Sequence, residues 1–352
     1  MCNIAGYIGP RPAAPILCEM MKRQSGFGGG YYSGIAVLGD RGLRGVKLRG
    51  DMDLLTSTTN ARLHPGRVGI LHSRSRSGGD GRWAHPFFSN DGRLAYVANG
   101  SAGAFRGLPN ADEATCALEA KGVRFTSAAP GKISYYPHLA DGRCVHVSET
   151  MAHLTRTTMK ERGCSLADAL EAAFLQCPAE IVALAVCEEE PDSISFARVN
   201  MPMFVGRTED EVFLASTALA FPADRDYISV TAIPEGSYGT VSLRGTVIRR
   251  FRTALPVSPL TAARAGRIRE AILAALRASD GPLTTQDMQK ASAPCWDEPD
   301  TLSQRNFAVY TIVQELVKEG AVTIREVAEY WDPGDGTPVL RRGRNVIFLN
   351  ER

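Results

Sequence analysis

The chain opens with the stretch Met1-Cys2-Asn3-Ile4-Ala5-Gly6-Tyr7-Ile8-Gly9. Its apolar and aromatic residues, followed by the turn-forming pair Gly9-Pro10, predict a β-strand. If Met1 is removed, Cys2 carries both a thiol and an α-amine, whose reference pKa is about 7.7–8.0. A single residue then supplies a nucleophile and its base. By position alone, Cys2 also fits the simpler interpretation of an inert residue in a frayed terminus.

The overall composition is that of a globular protein. The 352 residues are 44% hydrophobic and 22% charged, which excludes a disordered chain. The net charge of +2 argues against a dedicated nucleic-acid binder. No apolar run reaches the roughly 18 residues that a membrane span needs, and the first residues lack the features of a signal peptide. These observations predict a cytoplasmic protein with no membrane partner.

The eight cysteines contain no C-x-x-C pair, so the sequence predicts neither a zinc site nor any other metal centre. In a reducing compartment they are expected to be free thiols. Seven of them are predicted to act as small hydrophobic residues. Cys2 is the exception because of its position.

The order of predicted elements indicates an α+β fold. Strands dominate both ends of residues 2–255, and helices lie between them, which favours antiparallel sheets covered by helices over a doubly wound α/β fold. The helices are predicted at 13–24, at 149–162 with Ser148 as the N-cap, and at 165–176 with Ser165 as the N-cap.

A domain boundary is predicted at Leu255-Pro256-Val257-Ser258-Pro259, which separates residues 2–255 from residues 257–352. The second part has three predicted helices followed by a β-hairpin, which is the order of a small winged-helix-like domain. It carries 12 basic and 13 acidic side chains, whereas a DNA-binding winged helix is usually basic. The cluster Arg341-Arg342-Gly343-Arg344 fits either a phosphate contact or, more simply, a solvated or protein-contacting hairpin.

Three further segments supply the groups that acyl transfer by Cys2 would need. Asn99-Gly100 ends a predicted strand and offers an amide and a backbone N–H for an oxyanion, although Asn-Gly is also a common hairpin turn. His72-Ser73-Arg74 offers a guanidinium that fits a carboxylate, although a solvated surface arginine is commoner. The third segment is Ala84-His85-Pro86.

In this order and spacing, these segments resemble the class II glutamine amidotransferases, which are N-terminal-nucleophile hydrolases. The resemblance covers about residues 2–251. It rests on the following stretches: the opening Met-Cys-Asn-Ile-Ala-Gly, His72-Ser73-Arg74, Ala84-His85-Pro86, Asn99-Gly100, Ala152-His153-Leu154, Phe213-Leu214-Ala215-Ser216 and Pro234-Glu235-Gly236.

The resemblance implies a four-layer αββα sandwich of two antiparallel sheets. It implies that Cys2 attacks the side-chain amide of glutamine, releases ammonia and forms a thioester that hydrolyses to glutamate. Asn99 and Gly100 would hold the oxyanion, and Arg74 would bind the substrate α-carboxylate. His72 and His85 would belong to the substrate pocket, and no cofactor is needed.

The sequence also departs from the family. The segment Gly28–Ser33 lacks the usual arginine and is more similar to the amidotransferase part of glutamate synthase. The acidic residue that binds the substrate amine is replaced by Val147, and the segment 126–146 is enlarged. Glu149 is the nearest carboxylate. Either Glu149 takes over this role, or glutamine binds weakly, or the substrate is a different molecule.

Two functions follow from these observations. The first is a glutaminase that passes ammonia to a separate synthase subunit of glutamate-synthase type, because residues 257–352 resemble no ammonia-accepting domain. The alternative is a weakly active or inactive protein of the same fold that senses a small amide metabolite and regulates a partner or DNA. Assembly into a homo-oligomer is left open by the sequence.

Overall fold

The computed structural model describes residues 2–25, 27–75, 78–100, 111–133, 136–177, 180–296, 303–331 and 339–350. The strands are β1 (Asn3–Ile8), β2 (Tyr32–Gly39), β3 (Gly42–Arg49), β4 (Val68–Arg74), β5 (Phe87–Phe88), β6 (Leu94–Gly100), β7 (Glu180–Cys187), β8 (Ser193–Arg198), β9 (Phe204–Arg207), β10 (Val212–Ala215), β11 (Ser229–Ala232), β12 (Ser237–Ser242), β13 (Gly245–Arg250), β14 (Val322–Trp331) and β15 (Val339–Leu349). The helices are α1 (Ala13–Arg23), α2 (Met52–Thr58), α3 (Ala111–Ala120), α4 (Val147–Arg162), α5 (Leu166–Gln176), α6 (Ala262–Ala278), α7 (Thr285–Ala291) and α8 (Arg305–Lys318).

Two large sheets lie at the centre of the fold. Within the described residues, the first sheet has the order β11-β9-β10-β1-β4-β2-β3, and the second has the order β13-β12-β8-β7-β6-β5. The neighbouring strands in both sheets run antiparallel. The strand β1 is central in the first sheet, because it pairs with β10 on one side and with β4 on the other.

Three layers of apolar side chains separate four layers of secondary structure. Residues such as Ile4, Val97 and Leu214 pack between the two sheets. Leu17 of α1 and Leu55 of α2 pack on the outer face of the first sheet. Met151 of α4 and Leu170 of α5 pack on the outer face of the second sheet. This arrangement confirms the α+β, αββα fold with two antiparallel sheets.

Gly6 shows how closely the two sheets approach beneath the N-terminal strand. A Cβ atom at this position would lie 3.1–3.2 Å from side-chain atoms of Ile194, Leu184 and Leu214. Contacts of that length are tighter than ordinary van der Waals packing, so a larger residue would push β1 away from the second sheet. The close approach fixes the depth at which β1 lies in the sandwich.

In the described residues after 257, the helices α6, α7 and α8 are followed by the antiparallel hairpin of β14 and β15. The apolar cluster of this segment includes Ile268, Ile272 and Val313, and it also takes in Phe27 from the N-terminal region. The division into domains 2–255 and 257–352, with a winged-helix-like second domain, stays a prediction. The cluster at 341–344 lies on β15, but its side chains lie outside the described part.

The predicted elements differ from the structure in a few places. The helix α4 begins at Val147 rather than at 149, and its N-cap is His146, whose Nδ1 accepts from the backbone N–H of Ser148. The prediction of Ser148 as the cap was therefore wrong, whereas Ser165 does cap α5. Among the described helices, none is long and apolar enough to cross a bilayer.

Candidate active site

Cys2 lies directly before β1 and is partly exposed. Its Sγ accepts the backbone N–H of Ser75 at 3.3 Å and lies 3.5 Å from the hydroxyl oxygen of the same residue. Its carbonyl oxygen accepts from Asn99 Nδ2 at 2.9 Å. Cys2 is therefore held between the ends of β4 and β6.

The surroundings of Cys2 favour the thiolate. Burial raises the pKa of the thiol, but a hydrogen bond to His72 and the charge of His72 lower it, and the chain terminus and Ser75 lower it further. The result is a pKa of about 6, below the ordinary value of 9.0. A thiolate is the reactive form of cysteine, so this environment favours the reactive form of Cys2 near neutral pH.

Asn99 and Gly100 end the strand β6 beside Cys2. The pairing of β6 with β7 shifts between these two residues, so the regular ladder is interrupted there. Nε2 of His72 lies 2.9 Å from the carbonyl oxygen of Ala98 and 3.0 Å from Asn99 Oδ1. Because both neighbours are acceptors, this nitrogen carries a proton and donates it. His72 thereby turns the Nδ2 group of Asn99 toward Cys2.

Arg74 is the last residue of β4, and it is buried. Its guanidinium donates to the carbonyl oxygen of Gly78 at 2.9 Å and lies over the ring of Tyr32, 4.5 Å from its centroid. A longer contact of 3.5 Å reaches the hydroxyl of Tyr136. No carboxylate of the described residues forms an ion pair with it. A buried guanidinium of this kind is well suited to a carboxylate ligand.

His85 lies behind His72. The two rings are 3.9 Å apart between centroids, and Nδ1 of His85 accepts the backbone N–H of Ala98. Burial and the neighbouring positive groups hold the pKa of His85 well below its ordinary value, so the ring is neutral with its proton on Nε2. The structure therefore places His85 against the ring that orients Asn99.

Glu149 does not fit the predicted role of a substrate-amine ligand. Its two carboxylate oxygens accept four hydrogen bonds, from the backbone N–H and hydroxyl groups of Thr126 and Ser127. Burial raises its pKa, but His153 and these donors lower it to about 2. A carboxylate has about four acceptor positions, and here they are occupied within the protein. Glu149 fastens the segment after residue 125 to α4.

The sequence reasoning missed two groups around the thiol and the guanidinium. Ser75 contacts Cys2 through its backbone N–H, and its place directly after Arg74 was the available signal. Tyr136 belongs to the enlarged segment 126–146, and no local pattern pointed to it. Its ring also packs against Trp83, at 5.0 Å between centroids. Among the described residues, no group of three or more His, Cys, Asp or Glu is arranged to hold a metal ion.

Comparison with known proteins finds no matching protein-family profile. Similar curated sequences are glutamine–fructose-6-phosphate aminotransferases. The protein of Thermus thermophilus is 34% identical over 218 residues, which cover 61% of this chain and 32% of the relative. The protein of Tropheryma whipplei is 30% identical over 226 residues, 63% of this chain and 33% of the relative. The protein of Streptomyces coelicolor is 31% identical over 256 residues, 71% of this chain and 36% of the relative.

Solved structures show the same fold. Glutamine phosphoribosylpyrophosphate amidotransferase from B. subtilis, complexed with ADP and GMP, aligns with a TM-score of 0.56 and 16% identity over 90% of this chain and 64% of its own. The structure described as the allosteric regulatory enzyme of purine biosynthesis aligns with a TM-score of 0.56 and 17% identity, over 88% of this chain and 63% of its own. The chain spans about a third of the length of the curated relatives. The resemblance inferred from the sequence is confirmed, and this chain is a relative of the class II glutamine amidotransferases.

Proposed function

We propose that the protein hydrolyses the side-chain amide of glutamine through Cys2 and delivers the ammonia to a separate synthase subunit. The observation that carries the proposal is the meeting of three groups: the Cys2 thiol with its lowered pKa, the amide of Asn99 and the buried guanidinium of Arg74. They correspond to a nucleophile, a hydrogen-bond donor to the oxyanion and a group that binds the substrate carboxylate.

The proposed reaction requires removal of Met1, which leaves the α-amine of Cys2 free to carry protons. The thiolate attacks the amide carbon, and the carbonyl oxygen becomes an oxyanion that accepts from Asn99 Nδ2 and from the backbone N–H of Gly100. One N–H of Asn99 holds the Cys2 carbonyl oxygen, which leaves the second for this bond. The C–N bond then breaks as the α-ammonium gives its proton to the leaving nitrogen. Water hydrolyses the thioester, which restores the thiol and releases glutamate.

Arg74 would bind the α-carboxylate of glutamine, and His72 with His85 would keep Asn99 in its orientation. Glu149 is bonded within the protein, so it does not supply the group that would bind the substrate amine. The separate synthase is of glutamate-synthase type, in line with the glycine-rich segment at 28–33. We place the reaction in the cytoplasm, where free thiols persist.

Glutamate release from glutamine tests the function. The N-terminally processed protein should release glutamate, alone or with its synthase, and Cys2→Ala should abolish the release. Cys164→Ala is the matched control, because Cys164 is also partly exposed and bonds only weakly to the carbonyl oxygen of Thr158. Equal turnover by Cys2→Ala and the control, or none by the processed wild type with its synthase, would refute the proposal.

A second candidate is a sensor of a small amide metabolite that acts on a partner or on DNA. The internal bonding of Glu149 favours it, because glutamine would then lack an anionic partner for its ammonium. Titration calorimetry of Cys2→Ala with glutamine, together with a DNA mobility-shift assay, tests this candidate. Rapid turnover without DNA affinity would exclude it.

A further inference from the structure

The residue after the nucleophile points away from the substrate side, because successive side chains in a strand face opposite ways. Asn3 is fully buried. Its Nδ2 donates to the carbonyl oxygens of Gln24 and Gly28, each at 3.0 Å. Both N–H groups of the amide are therefore used, and Oδ1 must face a donor.

That donor comes from the C-terminal segment. The hydroxyl of Tyr310, on α8, lies 3.2 Å from Asn3 Oδ1 and 2.7 Å from the carbonyl oxygen of Phe27. Both are acceptors, so the one hydroxyl proton is shared between them. Burial and the nearby Cys2 raise the pKa of Tyr310, which keeps the hydroxyl protonated and able to donate.

The loop between α1 and β2 is also held by hydrogen bonds and ring contacts from the C-terminal segment. The carbonyl oxygen of Phe27 also accepts from Thr285 Oγ1 at 2.8 Å. The Phe27 ring packs edge-on against the Tyr310 ring, at 5.6 Å between centroids. Gly30, at the other end of this loop, donates its N–H to Ser73 Oγ at 2.7 Å. The loop thus joins α8 to the strand that carries Arg74.

We propose that Tyr310 is a positioning residue for Cys2. Through it, the C-terminal segment holds the backbone of the nucleophile in place from the side opposite to the substrate. Asn3 and Cys2 are consecutive, so the backbone that Tyr310 holds through Asn3 sets where the thiol lies relative to Ser75 and Asn99. Tyr310 touches no reacting atom. The inference rests on the proposed function of Cys2 as the nucleophile.

Tyr310→Phe removes only the hydroxyl and keeps the ring in the apolar cluster. The matched control is Tyr227→Phe, because Tyr227 also packs among aromatic rings and donates one bond, to the carbonyl oxygen of Pro222. We expect Tyr310→Phe to lower kcat for glutamine hydrolysis by about tenfold to 100-fold with KM within about twofold. Tyr227→Phe should change neither.

A second measurement does not depend on turnover. The rate at which iodoacetamide alkylates Cys2 at pH 7 is followed by mass spectrometry of the N-terminal peptide. We expect Tyr310→Phe to slow this alkylation several-fold, because the thiolate loses its alignment with its donors. Wild-type rates of alkylation in Tyr310→Phe, or an equal loss in the control, would overturn the inference. If the wild type releases no glutamate at all, the proposed function fails, but the alkylation rates still decide the inference.

Asn3→Ala separates positioning from general stability. If Tyr310 acts through Asn3, adding Tyr310→Phe to Asn3→Ala should change alkylation by less than about twofold, since the shared interaction is already gone. Independent, multiplying effects would contradict the inference. If Tyr310→Phe melts well below the control, the test rests on Asn3→Ala alone. An unchanged rate of Cys2 alkylation in Asn3→Ala would then refute the action of Tyr310 on Cys2 through Asn3.

Discussion

Arg74 and Arg198, two of the buried arginines among the described residues, have different surroundings. Arg74 lies at the end of β4 beside Cys2, and Arg198 lies at the end of β8 beneath α8. Neither forms an ion pair with a carboxylate in the part of the chain that the structure describes. Both guanidiniums lie over aromatic rings, Tyr32 for Arg74 and Phe307 for Arg198.

The difference lies in what each guanidinium contacts next. Arg198 donates to the carbonyl oxygen of Met201 at 2.6 Å and contacts Gln304 Oε1 at 3.4 Å, and burial lowers its pKa to about 10. Both contacts are fixed groups of the protein itself. Burial of an arginine alone therefore does not indicate a ligand site. The neighbouring thiol and oxyanion donor are what give Arg74 a proposed substrate.

Among the substitutions that test this comparison, Arg74→Lys is expected to have the largest effect. A lysine cannot bind a carboxylate through two parallel hydrogen bonds, and a truncated pair of this kind costs about 2–5 kcal/mol. We expect kcat/KM for glutamine to fall about 30-fold or more, chiefly through KM. Steady-state kinetics measures both constants. An unchanged KM would contradict the comparison, because Arg74 would then bind no substrate, like Arg198.

Arg198→Ala should act on stability instead. It removes the packing on Phe307 and leaves the Met201 carbonyl oxygen without its donor, so we expect a loss of about 1–3 kcal/mol in the free energy of unfolding. The KM for glutamine of the folded variant should stay within about twofold, since no substrate contact is removed. Urea unfolding and steady-state kinetics test the two halves. A raised KM with unchanged stability would contradict the comparison.

Glu149→Gln tests a buried carboxylate whose hydrogen-bond partners, Thr126 and Ser127, belong to the protein itself. The pKa of Glu149 is lowered in the folded protein, so its contribution to stability is present above the ordinary value of 4.5 and is lost as the pH falls toward about 2. We expect Glu149→Gln to cost about 1–2 kcal/mol at pH 7 and to flatten this acid dependence. Unfolding curves between pH 7 and acid conditions measure it. Identical pH dependence in variant and wild type would count against the internal role.

Arg82→Ala should have the smallest effect. Arg82 pairs with Asp80 at 2.7 Å, but about half of each side chain is exposed. Exposed pairs contribute about 0–1 kcal/mol, so we expect a change below about 0.5 kcal/mol and unaltered kinetics. The same unfolding and activity assays apply. A large loss of activity would show that this loop takes part in the site.

The N-terminal strand and the order of the C-terminal helices were predicted from local periodicity and turn residues, whereas the αββα layers were implied by the family resemblance. The sequence did not predict β3 or α3. In the segment of β3, apolar and polar residues alternate only weakly, and its side chains are half exposed. Its hydrogen bonds to β2, rather than its own sequence pattern, therefore make it a strand.

The candidate site was predicted for Cys2, Asn99 and Arg74, whose motifs are local. The roles of His72 and Glu149 could not be predicted, because each depends on partners distant in sequence. Glu149 is bonded 22 and 23 residues away, and the pairing of Tyr310 with Asn3 spans 307 residues. A local motif identifies a candidate residue, whereas contacts with residues distant in sequence determine its role.

The position of β1 between β4 and β10 has a consequence for synthesis of the chain. Ala5 pairs with Leu71 and with Ala215, so β1 is synthesised before both of its neighbours and gains the second one only after more than 200 further residues. Contacts this distant in sequence form late. We therefore expect Cys2 to be an ordinary thiol during translation, because the groups that lower its pKa surround it only when the sandwich has closed.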